Sequence, residues 1–234
     1  MNFVFGVLQV GGLFLHAVVL FLLLRGYFWK HAGLFAYNLS ILALSLFDQV
    51  LFRRVERQTT LYSRVYWTSE IVWDILFFVL VAVLIQKAVA ERPEQKFVRK
   101  LFLFVVAAMI VLPFVIFPGR KLFATAWFSA TSQLLNFGAA ILNLVLWGIL
   151  IASRNRDTQL MLVCFGLGVN VAGAALGWGV RLLARGTSMA AGVGNAADLF
   201  AGITYMLGLL IWCYAFWPVP KPALNLPERD PQFP

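Results

Sequence analysis

The stretch YWTSEIVWDILFF, Tyr66–Phe78, places Glu70 and Asp74 four residues apart in an otherwise mostly apolar run. On a helix this spacing puts both carboxylates on one face, in a stripe with Trp67 and Phe77. Paired carboxylates can move protons, either as acid and base in a hydrolase or as steps of a relay. A hydrolase also needs a nucleophile or metal ligands. The sequence has no HExxH, no GxSxG, no Walker loop and no dinucleotide fingerprint followed by a strand. A plainer reading stands beside the chemical one. With the helix starting near Tyr66, both acids fall within about two turns of its positive end, where the dipole favours them. Arg53 and Arg54 are there to pair with them across a short loop. Asp74 is the deeper of the two and the better functional candidate.

Other polar residues recur inside apolar runs. Ser45, Asp48 and Gln49 share one run, Gln133, Asn136 and Asn143 another, Asn170 and Arg181 a third, and Asp198 and Tyr205 a fourth. Ionisable groups within a membrane span cost several kcal/mol and turn toward the bundle interior or water. The spacing therefore predicts a polar, charge-paired pocket built from Asp48, Glu70, Asp74, Arg181 and Asp198, with Gln133 and Asn136 reaching deeper. Arg181 with Asp198 is the expected ion pair across the last loop; the alternative for Asp198 is a helix N-cap.

Cofactor chemistry finds little support. His16 falls mid-span and His31 at a span edge, so the two cannot hold one haem together. His16 alone is either a ligand or a hydrogen-bonded core residue, the latter being the commoner case. Cys164 and Cys213 fall inside apolar runs without histidine neighbours and are expected as free packing thiols, not a metal site. The last run has no lysine for a retinal Schiff base. No cofactor and no metal are expected.

The elements that must position these residues are helical. Hydrophobic residues make up 62% of the chain and charged residues 12%, about half the charged share of a soluble domain. About seven apolar runs are long enough to cross a bilayer: near 3–24, 33–52, 66–88, 101–117, 122–152, 160–183 and 198–217. The sequence thus predicts an all-α polytopic membrane bundle of about seven transmembrane helices over 1–219, and a Pro-rich cytoplasmic tail, 220–234, without fixed structure. Trp29, Trp67, Trp127 and Trp217 fall at run ends as interface anchors, with Trp178 and Trp212 near ends too. Gly173 and Gly177 read as a close helix contact, and GTSMAAGVGN as a Gly-rich loop. The net charge is +9. It concentrates in short loops, as the positive-inside rule demands, so no nucleic acid is expected. Eleven of the nineteen Lys and Arg fall on the side of the C-terminus, which predicts the N-terminus out and the C-terminus in.

The block YWTSEIVWDILFFVLVAVLIQKAVAERPEQKFVRKLF and the ending GLLIWCYAFWPVPKP resemble a family of small seven-helix membrane proteins common in acidobacterial genomes. The resemblance covers most of the chain. It implies a seven-helix fold and a bacterial inner, cytoplasmic membrane, and no particular chemistry. Its shared glutamate falls on Glu70, and Asp74 has no counterpart in it. The expected function is therefore non-enzymatic: a sensor-like receptor, or an accessory subunit of a membrane complex, with the lipid bilayer and a membrane partner or small ligand as its contacts. The alternative is a small-solute or proton-coupled transporter using Glu70 and Asp74; no internal repeat supports it.

Overall fold

The computed structural model describes residues 2–54, 60–88, 95–116, 125–152, 157–184 and 190–217. They form α1 (Asn2–Leu24), α2 (Ala32–Arg54), α3 (Thr60–Ala88), α4 (Gln95–Ile116), α5 (Thr125–Ala152), α6 (Thr158–Ala184) and α7 (Ala190–Phe216), with no strand among the described residues. Six of the seven, all but α4, contain a stretch long and apolar enough to cross a membrane. In α4, which carries Pro113 within it, several side chains lie outside the described residues, as does the whole C-terminal tail.

Three helices, α3, α4 (from Gln95) and α7, start earlier than their apolar runs suggest. Hydropathy marks the apolar stretch, whereas a helix continues wherever its backbone bonds can form. So α3 begins at Thr60 and α7 at Ala190, and from Ala190 onward the expected Gly-rich loop is helix. Glu70, Asp74 and Asp198 consequently lie outside any first turn. The helix-dipole reading of the acids and the N-cap reading of Asp198 both fall.

Six helices close into a ring: α1 packs on α2, α2 on α3, α3 on α5, α5 on α6, α6 on α7, and α7 back on α1. The fourth helix lies outside, against α5 and α3. Lipid-type residues such as Phe14, Ile141, Leu144, Ile151 and Leu183 are exposed on the outer surface. The two ends of the ring differ. Toward the face where α7 ends, the interior is a dry core of Leu23, Leu34, Ile41, Leu80, Val81, Leu84, Leu146, Leu167, Leu209 and Phe216. Toward the face where α1 starts, the interior is polar and holds cavities. We call these the C-face and the N-face.

Trp127 and Trp212 depart from the interface role. Trp127 is 5% exposed and packs on Phe114 and Phe128. Trp212 is 2% exposed and its indole N–H donates to the Val163 carbonyl (2.9 Å). A buried indole needs such an acceptor. Trp29 and Trp217 are exposed, as anchors should be. Both cysteines are free and buried.

Glycines bring α6 and α7 together. A Cβ on Gly166 would lie 2.7 Å from the Gly208 carbonyl oxygen and 2.7 Å from the Trp212 ring. One on Gly208 would meet the Gly166 carbonyl, and one on Gly177 would sit 3.1 Å from that of Ala197. A Cβ on Gly173 would overlap the Thr204 side chain. This is the small-residue packing expected between membrane helices.

A polar latch closes the C-face. Asp157 Oδ1 accepts the backbone N–H groups of Gln159 (3.1 Å) and Leu160 (3.2 Å), capping α6. Lys30 Nζ pairs with Asp157 (3.0 Å) and donates to Gln159 (3.1 Å), and Lys87 donates to the Lys30 carbonyl. His31 is buried edge-on against Phe216, with Lys87 Nζ 3.5 Å from its Nδ1. Burial, then the charges of Lys87 and Lys30, push His31 down to about 4. Burial alone would raise the Asp157 carboxyl; the Lys30 pair and the Leu160 N–H outweigh it and hold the group below the usual carboxylate range.

Two expectations concern stability. Gly166→Ala should destabilise the bundle by about 1–3 kcal/mol, because the added methyl forces α6 and α7 apart. Gly179→Ala meets nothing within 4 Å and should change stability by about 1 kcal/mol or less. Unfolding by sodium dodecyl sulfate, followed by circular dichroism, measures both; equal losses would refute the seam. For His31, the unfolded chain takes up a proton near pH 6.5 that the fold refuses until about 4. Its contribution to stability is thus complete above about 6.5 and shrinks as pH falls toward 4. The drop in Tm from about pH 7 to about pH 4.5 should be smaller in His31→Gln than in the native chain; equal drops would count against a buried neutral His31.

Candidate functional site

Three cavities lined by described residues lie in the N-face half. The largest, about 300 Å³, lies between α1, α2, α3 and α7 and is bordered by His16, Asp48, Tyr66, Glu70, Trp73 and Tyr205 among others. A second, about 240 Å³, adds Tyr37, Asp74, Asn136 and Asn170. A third, about 180 Å³, contains Arg181 and Asp198. Glu70 lines all three. On α1, α6 and α7 the cavities are lined by the small residues Gly12, Ala174, Gly177, Ala201 and Gly202, opposite the aromatic stripe of α3.

The floor is a hydrogen-bonded layer at mid-depth. Asn38 donates its amide N–H to the Leu34 carbonyl (2.8 Å), which turns Oδ1 toward His16. His16 Nδ1–H then donates to that oxygen (2.7 Å), leaving Nε2 to accept the Tyr205 hydroxyl. His16 and Asn38 are fully buried. The three residues come from α1, α2 and α7, and below them the dry core begins. His16 is thus the hydrogen-bonded core residue of the two possibilities its sequence position left open.

The acids of α3 have different surroundings. Asp74 accepts the Ser132 hydroxyl (2.6 Å) on one oxygen and the Asn136 amide (2.9 Å) on the other, so it joins α3 to α5. Glu70 is hydrogen-bonded to Tyr66 one turn back, and the charges of Asp48, Arg181 and Asp198 reach it. The sequence ranks Asp74 above Glu70, yet Asp74 is held by α5 while Glu70 faces open space. Asp48 accepts the Ser69 hydroxyl (2.8 Å), joining α2 to α3. Arg181 and Asp198 form the expected ion pair, joining α6 to α7.

The structure therefore brings together Asp48, Glu70, Asp74, Asn136, Arg181 and Asp198. Gln133 is half-buried on α5 and borders none of the three cavities. The side chains of Arg53 and Arg54 lie outside the described residues. Sequence reasoning missed Asn38, Ser69 and Ser132 as partners of the site. Each is a small polar residue whose partner lies on another helix, and its depth, matched to that of a titratable group, is the signal that was available. Among the described residues no cluster of three His, Cys, Asp or Glu could hold a metal ion.

Compared with protein-family models, curated proteins and solved structures, the chain matches none. The geometry of the N-face half therefore carries the functional reading.

Asp74→Leu should cost about 2–4 kcal/mol, since it strips the Ser132 and Asn136 donors of their acceptor inside the bundle. Glu70→Gln keeps the shape and should change stability by about 1 kcal/mol or less. Unfolding in detergent measures both, and a larger loss for Glu70→Gln would reverse these roles.

Proposed function

We propose that this chain is a non-enzymatic, receptor-like membrane module that takes a small ligand into the N-face vestibule. One observation carries the reading: the three cavities share Glu70 as a lining residue, the largest ends against His16 and Tyr205, and the C-face half of the bundle is tightly packed. On this reading a ligand held there touches α1, α2, α3, α5, α6 and α7 and does not pass through the packed C-face core. The Lys and Arg distribution puts the N-face outside the cytoplasm, and the resemblance to the acidobacterial seven-helix family agrees with a bacterial inner membrane. On this reading the ring relays occupancy to a partner in the same membrane, with the C-face latch as the cytoplasmic end.

The test is one-sided access. Cysteines placed at Ser45 and Ala201, beside the vestibule, and at Leu84 and Leu146, within the dry core, are treated with a membrane-impermeant thiol reagent from either side of oriented vesicles. The two vestibule positions should react from the non-cytoplasmic side alone and the core positions from neither. Reaction at positions 84 or 146, or access to the vestibule from both sides, would favour a transporter and overturn the receptor reading.

A further inference from the structure

We infer that the ligand of the largest cavity is a compact organic cation, an alkylammonium group with a small apolar body. The inference rests on the receptor reading and gives its site a ligand class.

The charged side chains bordering the 300 Å³ cavity are two carboxylates, Asp48 and Glu70; among the described residues no Lys or Arg borders it. The adjoining space adds Asp74, and the remaining one adds Arg181 already paired with Asp198. Across the three cavities one cation faces four carboxylates. Carboxylates in a region shielded by lipid are stabilised by a cation that approaches them, and Glu70 is the one that every cavity reaches.

The wall points to the same class. Tyr66, Trp73 and Tyr205 border the same cavity as Glu70, and the Trp73 and Tyr205 rings lie 6.5 Å apart, centre to centre. Aromatic faces attract ammonium groups that shed water, Trp most of all. Leu8, Leu13 and Gly12 complete an apolar side that a hydrated inorganic ion would not use. Acid at one edge, rings and leucines around it, and a volume at the small end of ligand cavities together fit a cation with methyl or methylene groups on nitrogen. An anion would meet the two carboxylates, and a neutral apolar molecule would bring them no counter-charge. The nitrogen group can belong to a free amine or to the headgroup of an amine-bearing lipid.

The experiment uses the full chain in phosphatidylglycerol nanodiscs, which contain no amine, with choline as the probe. Its uncharged isostere, 3,3-dimethylbutanol, has the same shape without the charge. Choline should bind at least tenfold more tightly than the isostere by equilibrium titration. Glu70→Gln should weaken choline at least tenfold and Trp73→Leu several-fold, without changing binding of the isostere as much. The comparison of the two probes on the native chain holds even where a variant folds poorly. Equal binding of the two probes would leave the vestibule a binding site and overturn the cation. Failure of choline to bind, with one-sided cysteine access intact, would also overturn the cation and leave the receptor reading standing; loss of that one-sided access would instead sink the receptor reading itself. Phosphatidylethanolamine added to the discs should raise the apparent Kd of choline if the native cation is a lipid headgroup, and leave it unchanged if it is a free amine; either result keeps the cation and assigns its source.

Discussion

A bilayer offers no water to a polar side chain, so each such group must find its partner within the bundle. In this chain most of the described polar groups meet it between helices, Asn143 Oδ1 on α5 being a buried exception among the described residues. Asp48 meets Ser69, Asp74 meets Ser132 and Asn136, Arg181 meets Asp198, and His16 meets Asn38 and Tyr205. Every one of these bonds joins two different helices. The polar residues therefore act as the fastenings of the ring, and their depth sets where the interior can be wet.

The ring divides into a half that holds cavities and a half that is tightly packed, and side-chain size accompanies the division. On the N-face side the cavities are lined by small residues of α1, α6 and α7, Gly12, Gly177 and Gly202 among them. Where the helices carry Leu, Ile and Phe, they meet and exclude water. Glycine has two roles along α6 and α7. Gly166 and Gly208 let the two backbones touch and Gly173 admits the Thr204 side chain, whereas Gly202 admits Leu8 of α1 beside the largest cavity.

Much of this was legible in the sequence. Runs of apolar residues mark membrane helices because length and hydropathy are local properties. The gathering of Asp48, Glu70, Asp74, Asn136, Arg181 and Asp198 was legible too, since depth can be counted along each run. What the sequence withheld depends on pairing across the fold. His16 and Tyr205 are far apart in the chain, and no local pattern marks them as neighbours. Helix starts at Thr60 and Ala190 lie beyond the apolar stretches that hydropathy detects. Trp127 and Trp212 stand near run ends, which suits an anchor, but a ring's rotation about the helix axis decides whether it meets lipid or core. That rotation also separates Glu70, open to all three cavities, from Asp74, held by α5.

The position of α4 outside the ring has a topological consequence. The neighbours α3 and α5 run parallel, both from the N-face to the C-face. Parallel neighbours cannot be joined by a short turn; the chain must first return to its starting side. With 22 residues, α4 makes that return over about 33 Å. It serves this pair of helices as a crossover connection serves two parallel strands. Its sequence is thus held chiefly to reaching the other face, while the helices of the ring must also fit one another.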